Sequence, residues 1–254
     1  MFVGNEGIYI YCIIGSNQPL SFGPMGIGGR GDEVYTICSG DLGAVVSKSP
    51  AKEYRVSREN TLAHEKAIEA AMKEHTVLPV RFCTIADDEE MVKKILEREH
   101  DAFKDMLDKI ADKKELGMKA IFIKDAIYHD ILEKYEDIRI LKEKIASIPP
   151  EKAHYQCIKI GEMVETALEK EKEIYKTELL DALSPLAVDD QINNPYGELM
   201  IMNAAFLVEN RREPEFDQAV EAFTTKYKDK IKYKYLGTVP PFNFVNLVID
   251  IGKY

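Results

Sequence analysis

The chain contains 254 residues, of which 45% are hydrophobic and 31% are charged, and its formal net charge is −10. This length and composition are typical of a globular protein with one large or two ordinary domains. The negative charge disfavours general nucleic-acid binding, which needs a clustered cationic surface, and no segment approaches the roughly 20 apolar residues of a membrane-spanning helix.

The N-terminus and the cysteines indicate a cytoplasmic protein. The first segment, MFVGNEGIYIYCIIG, has no basic region, so it does not have the pattern of a secretory signal peptide. The four cysteines are scattered and form no CxxC pair. We therefore expect reduced thiols in a reducing compartment, with no disulfide framework and no zinc site.

Hydrophobic periodicity and turn residues divide the first half of the chain into elements in the order β-loop-β-β-α-β-α. Gly40-Asp41 forms a short turn, which makes the second and third strands a hairpin. The helix that follows is amphipathic and begins near Ser57 to Asn60, and either of these two residues can cap it. The predicted elements are strands over residues 7–14, 33–39 and 42–47, a loop over 16–32, an irregular connection over 50–56, a helix ending near residue 75, a strand over 76–86 and a helix over 87–117.

The second half of the chain has the order β-αα-β-α-β. Pro149-Pro150 separates its two long helices, which indicates a helical hairpin, and the alternating segment IKYKYL is typical of an edge strand. The predicted elements are a strand over 117–124, helices over 125–148 and 151–183, a polar loop over 185–195, a strand over 199–208, a helix over 213–228, a strand over 231–236 and a proline-interrupted tail.

These two patterns predict an α+β fold with two domains. Each half has the composition of an α+β plait, in which helices cover one face of an antiparallel sheet. The new pattern that begins near Gly117 places the boundary, so we expect an N-terminal α+β domain over residues 1–115 and a C-terminal α+β domain with the helical hairpin over residues 116–254.

Residue patterns for catalysis, metals and cofactors are weak. The Gly-rich segment GIGGRG is followed by a strand rather than a helix, so a dinucleotide site is disfavoured and a flexible loop is favoured. His64 and His75 share a helix face about 16 Å apart, too far for one metal. We interpret His64 as a core or interface histidine bonded to the backbone, Cys83 as a buried and inert thiol within a strand, and His129 as a surface residue without ligand-spaced partners. We expect no catalytic, cofactor or metal residues.

Arg81 is the one charge within the apolar segment VLPVRF. In a continuous strand it would share one face with Pro79 and Cys83, and Leu78 and Phe82 would share the other. Two interpretations stay open: Arg81 lies on an open sheet face or pairs with a carboxylate, or it marks a binding face for a partner or a small anion. Pro79 suits an edge or bulge position because proline donates no ladder hydrogen bond.

Several segments resemble, in the correct order, the gas vesicle F/L proteins. The segment HTVLPVRFCT is similar to the central signature of that family, and the resemblance extends to GIYIYCII, GDLGAVVS, IKIGEMVETAL and GTVPPFNFVN, so it spans nearly the whole chain. Cys83 stands where the family usually has glycine, and Thr238 and Val239 stand where proline and an aromatic residue are common.

The resemblance implies a fold and a function. It implies two α+β domains related to the ferredoxin-like plait, no enzymatic activity, no cofactor, and a location in the gas vesicle or the cytoplasm. It implies an accessory or minor structural protein that binds the small hydrophobic shell protein and aids its nucleation or incorporation, with other accessory proteins as further partners, but not nucleic acid or membrane. The candidate interaction residues are His64, Leu78, Pro79, Arg81, Phe82, Pro240, Pro241, Phe242 and Phe244.

Three further expectations accompany this one. We expect the segments PVRF and PPFNFV to lie close together and to stabilise the docking of the two domains. The alternative function is a ligand-sensing regulatory module of the ACT type, with a ferredoxin-like fold. An acylphosphatase-like enzyme is disfavoured because Arg81 is predicted within a strand rather than in a phosphate-binding loop.

Overall fold

A computed structural model describes residues 6–50 and 54–253. The chain forms two compact units: the first ends at Glu115 and includes the segment from Thr238 onward, and the second is Leu116–Gly237. The tail from residue 238 therefore belongs with the first unit, and its predicted assignment to the C-terminal domain is wrong. Residues 51–53 of the predicted irregular connection lie outside the described ranges.

The first unit contains a six-stranded sheet within the described ranges, in the order β2-β3-β4-β1-β5, with β6 paired to β1. The central strand β1 pairs antiparallel with β4, β5 and β6, and every residue from Gly7 to Ile14 is buried. This burial explains its continuous apolar sequence. The strands are β1 (Glu6–Ile14), β2 (Ser21–Gly23), β3 (Val34–Ser39), β4 (Leu42–Pro50), β5 (Val77–Pro79) and β6 (Ile85–Ala86).

Helix α1 (Arg58–Met72) covers this sheet with an apolar face. Its buried residues Ala67, Ile68 and Ala71 pack in one cluster with residues of β1, β3, β4 and β5. The Ser57 hydroxyl accepts a hydrogen bond from the Asn60 N–H at 3.2 Å, so Ser57 is the N-cap, one of the two residues that the sequence offers for this role.

The segment predicted as one strand over 76–86 is not continuous. Residues 80–84 form a turn between β5 and β6, in which the Thr84 hydroxyl donates to the Arg81 carbonyl at 2.8 Å. Cys83 has a φ of +68°, which no β-strand residue adopts. The segment predicted as a loop over 16–32 is not all loop, because it contains the short strand β2.

The predicted helix over 87–117 is two helices, α2 (Glu89–Arg98) and α3 (His100–Ile110). The chain then enters β7 (Lys113–Phe122), so Leu116 and Gly117 lie within a strand. The apolar spacing of three and four continues through the break at Glu99, so periodicity cannot reveal it. At the C-terminal end of the predicted helix, the chain pairs in a sheet as β7, so tertiary pairing overrides the local helical pattern there.

The second sheet has four strands in the described ranges, in the order β10-β7-β9-β8. Strand β8 (Asp189–Ile192) lies in the segment predicted as a polar loop, and it pairs antiparallel with β9 (Met200–Glu209) from Asp189 opposite Leu207 to Ile192 opposite Ala204. Its sequence DDQI gives no strand signal, because β8 is an exposed edge. Strand β10 (Ile231–Val239) is the other edge, as predicted.

Four helices accompany this sheet: α4 (Lys124–Lys134), α5 (Glu136–Ala146), α6 (His154–Leu183) and α7 (Glu213–Lys226), within the described ranges. The predicted single helix over 125–148 is wrong, since it is interrupted at Tyr135, which has φ −106° and ψ 94°. The Tyr135 hydroxyl and the Lys134 ammonium both donate to the buried Glu171 carboxylate of α6 at 2.7 Å. These two bonds hold the interruption against α6.

The predicted α+β class is thus confirmed, with helices packed on antiparallel sheets. The finer assignment of each unit to a ferredoxin-like plait stays a prediction.

Replacing Ser57 with alanine should lower the free energy of unfolding by about 1 kcal/mol, because one N–H of the first turn of α1 loses its partner. Urea unfolding measures this difference. Ser57→Asp is the control, since its carboxylate also accepts from the first turn, and it should retain the stability of the natural protein. Equal losses in both variants would contradict a capping role.

Candidate functional site

His64 lies at the centre of the predicted interaction residues and is buried, with 2% of its surface exposed. Its Nε2 lies 3.1 Å from the Val80 carbonyl, and its Nδ1 lies 3.0 Å from the Tyr9 hydroxyl. A carbonyl only accepts, so Nε2 carries the proton and Nδ1 accepts from Tyr9. The Tyr9 oxygen in turn accepts the Cys83 N–H at 2.9 Å. This network connects α1, β1 and the 80–84 turn.

Burial keeps the His64 imidazole neutral. Burial lowers the pKa of His64 to about 4, against the smaller opposing effect of its bond to the Val80 carbonyl. Burial also raises the pKa of Tyr9. A neutral histidine with one fixed tautomer and two protein partners is a structural cross-link, which agrees with the interpretation of His64 as a histidine bonded to the backbone.

The aromatic rings of the two motif segments meet at His64. The Phe82 ring centroid lies 5.7 Å from that of His64, and the Phe242 centroid lies 6.3 Å from it. Phe82 is half-buried, whereas Phe242 is 43% exposed. The PVRF and PPFNFV segments therefore lie beside one histidine within the first unit. Their predicted role in domain docking stays a prediction.

The remaining residues of the central motif divide between the sheet and the turn. Leu78 and Pro79 are buried in β5, opposite Ile13 and Cys12 of β1. Since β5 ends the order of the sheet, Pro79 occupies an edge strand, as expected. Arg81 lies in the turn and is exposed, so the face assigned to it from strand alternation is wrong.

Cys83 also departs from its interpretation as a buried residue within a strand. It is half-buried in the turn, and its sulfur accepts the Tyr54 N–H at 3.2 Å. Its left-handed backbone, with φ +68°, is the conformation that glycine adopts without steric cost. This conformation gives a physical reason for glycine at this position in the family that the sequence resembles.

The tail is fixed by a buried carboxylate. The Asn243 N–H donates to Glu115 Oε2 at 3.0 Å, and the Asn243 amide donates to Oε1 at 2.5 Å. Glu115 is 3% exposed, and burial raises its pKa. Next to this contact, Pro240 and Pro241 are buried and Phe244 is half-buried. The sequence interpretation missed Glu115, because it placed this residue within a helix.

A groove in the second unit was not expected from the sequence. It has a volume of about 840 Å³ and lies between α4, α5 and α6. Its apolar lining consists of Ile131, Leu132, Ile138, Ile160, Val164 and Leu168. The interruption at Tyr135, which periodicity did not reveal, makes α4 and α5 separate walls of this groove. Gly161, inside the 30-residue helix α6, also lines it.

One group of side chains on α4 has the composition of a metal site. Ligand atoms of His129, Asp130 and Glu133 lie within 4.8 Å of one another, so the interpretation of His129 as lacking ligand-spaced partners is wrong. Asp130 forms an ion pair with Lys230, however, and His129 and Glu133 are both 70% exposed. The pairing of Asp130 with a lysine competes with metal binding.

Comparison with known proteins gives the family. Residues 7–246 match the family described as "Gas vesicle synthesis protein GvpL/GvpF". The chain belongs to the GvpL/GvpF family. Two relatives extend over almost their full lengths: gas vesicle protein F of Nostoc sp., 26% identical over 96% of this chain and 99% of that protein, and gas vesicle protein F of Streptomyces sp., 28% identical over 93% and 98%.

Solved structures of GvpF proteins have the same fold. The crystal structure of GvpF from Anabaena sp. superposes with a TM-score of 0.81 at 25% identity, and covers 96% of this chain and 100% of that chain. The crystal structure of GvpF from Microcystis aeruginosa superposes with a TM-score of 0.76 at 24% identity, and covers 95% and 99%.

This chain is therefore a gas vesicle protein of a structural and accessory family that takes part in gas vesicle formation, and the GvpL/GvpF family is not a known enzyme family. Among the helices of the described residues, none has the length and apolar character needed to cross a membrane.

Changing Cys83 to glycine in this GvpL/GvpF protein should give a free energy of unfolding about 1 kcal/mol higher than changing it to alanine, because both variants lose the sulfur contact and only glycine adopts a positive φ without the Cβ clash. Cys83→Ala is the matched control, since alanine keeps the clash and loses the sulfur contact with Tyr54. Denaturant unfolding of the three proteins checks this order. A glycine variant no more stable than the alanine variant would contradict the strain.

The neutral His64 should make stability depend on pH. The unfolded chain protonates this imidazole near pH 6.5, whereas the folded protein does so near pH 4. The unfolded state binds more protons between these values, so acidification from pH 6.5 to 4 should cost on the order of 3 kcal/mol through His64.

His64→Gln tests this dependence. The glutamine amide can still donate to Val80 and its carbonyl can accept from Tyr9, but it does not titrate. The other ionisable groups are common to both proteins. The free energy of unfolding of the natural protein should therefore fall relative to that of the variant as the pH is lowered from 6.5 to 4. Parallel stability curves over this range would show that His64 does not titrate as described.

Proposed function

We propose that this protein binds the small hydrophobic shell protein of gas vesicles and aids its nucleation or incorporation. The observation that carries the proposal is the match to the gas vesicle synthesis family over residues 7–246, since it includes both units. The proposal gives one physical task to the protein: it accompanies an apolar, self-associating subunit until that subunit enters the shell.

Charge supports this task. The formal net charge of −10 gives a complex with an apolar partner a repulsive charge of one sign, which opposes aggregation. The groove of the second unit adds an accessible apolar surface that such a partner could cover. An accessory protein of this kind needs both properties at once.

The two motif segments have a different part in the proposal. Most of their side chains face inward: Leu78, Pro240 and Pro241 are buried. His64, which both segments contact, forms hydrogen bonds through both ring nitrogens. Arg81 and Phe242 are the exposed members, so we propose them as contact points for other gas vesicle accessory proteins. The buried members hold the turn and the tail in place for those contacts.

The alternative of an ACT-type ligand sensor has no observation in its favour. The polar network around His64 is satisfied by protein groups, because Tyr9, Val80 and Cys83 supply its partners. A metabolite would have to displace these buried bonds. If a metabolite bound the folded state, it would raise the melting temperature by mass action, which a metabolite screen would detect.

The test of the proposal is co-purification with the shell protein. A tagged form of the full chain, co-expressed with the small shell protein, should retain it at low and moderate salt, because apolar contacts do not weaken with ionic strength as ion pairs do. The tag alone is the control. Deletion of the gene from a vesicle-forming host should also reduce vesicle number, and re-expression should restore it. Absence of retention at both salt concentrations would overturn the proposal.

A further inference from the structure

Gly161 occupies an unusual place in helix α6. It is exposed within a 30-residue helix, and glycine lowers helix stability relative to alanine. A Cβ at this position would meet no atom within 4 Å, so nothing in the described part of the chain requires glycine there. The missing side chain leaves room for another backbone to approach α6 closely at this position.

The surroundings of Gly161 have the dimensions of a helix-binding site. The groove follows α6 from Cys157 to Lys172, which is about 22 Å or four helical turns. Ile160, Val164 and Leu168 line it from α6, while Ile131 and Ile138 line it from α4 and α5. An extended apolar floor of this length suits the apolar stripe of an amphipathic helix.

The described residues of this chain leave the groove open. A second copy as its occupant is disfavoured, because two chains that each carry a formal charge of −10 repel each other.

The rim of the groove indicates the charge of its partner. Glu169 and Lys172 pair with each other at 2.6 Å. This leaves Glu165 and Glu198 against Lys142, so acids outnumber bases at the rim. A helix with an apolar stripe flanked by basic residues complements this arrangement.

We propose that this groove, here called the α6 groove, binds an amphipathic helix of the shell protein, with the two backbones in close approach at Gly161. The inference rests on the proposed function and adds the site of binding. The apolar stripe of the partner helix packs on Ile160, Val164 and Leu168, and its basic side chains lie toward Glu165 and Glu198.

Gly161→Trp tests the α6 groove by filling it. The indole enters open space, so the variant should fold, and its melting temperature checks this. Retention of the co-expressed full-length shell protein should fall about tenfold or more, since a central contact is blocked. Lys159→Trp is the matched control, because Lys159 is exposed on α6 outside the lining of the groove, and it should retain the shell protein as the natural protein does.

Two further variants strengthen the test. Gly161→Ala should stabilise α6 while weakening retention only in part, because one methyl group separates the backbones without filling the groove. The double substitution Glu165→Lys and Glu198→Lys leaves the apolar floor intact and should lower retention by reversing the charge of the rim. This second route keeps the proposal testable if Gly161→Trp unfolds.

The outcomes separate the inference from the proposed function. Retention by the natural protein with equal retention by Gly161→Trp and by the charge-reversed variant would overturn the α6 groove as the site while the proposed function stands. Absence of retention by the natural protein would overturn both. A dimer of the natural protein in sedimentation that Gly161→Trp abolishes would assign the groove to a second copy and overturn the inference.

Discussion

The hydrogen bonds of His64 connect segments that are distant in the chain. One ring nitrogen donates to the Val80 carbonyl and the other accepts from the Tyr9 hydroxyl, which itself accepts the Cys83 N–H. Each group is buried or half-buried, so losing one partner would leave another polar group without water to replace it. The position of α1 on the sheet and the path of the 80–84 turn therefore depend on each other.

The same interaction explains the backbone of the turn. To place its N–H on the Tyr9 oxygen, Cys83 adopts a φ of +68°, and β5 must end after Pro79 so that Val80 can present its carbonyl to His64. The rings of Phe82 and Phe242 then lie against the imidazole. The motif that identifies the family is thus a corner built around one neutral histidine, and its charged residue Arg81 is displaced to the surface.

The sequence predicts elements well where the local pattern and the tertiary structure agree. The buried strand β1, the hairpin of β3 and β4, and the Ser57 cap each follow from residues within a few positions. It fails where distant contacts decide. The interruption at Tyr135 depends on Glu171, and the tail depends on Glu115, partners that lie 36 and 128 residues away. Neither pairing produces a periodic pattern in the sequence, so the sequence cannot predict the groove or the contact of the tail.

The two units differ in how they treat their polar and apolar surfaces. Around His64, the first unit satisfies its buried polar groups internally and encloses its motif residues, so this corner offers little new surface to a ligand. The second unit leaves apolar side chains open along α6 and keeps a glycine that its own packing does not require. Since burial of apolar surface drives association and satisfied polar groups do not, recognition of an apolar partner is favoured on α6 rather than at the family motif. The motif would then maintain the fold of the first unit, and the helical unit would carry the contact.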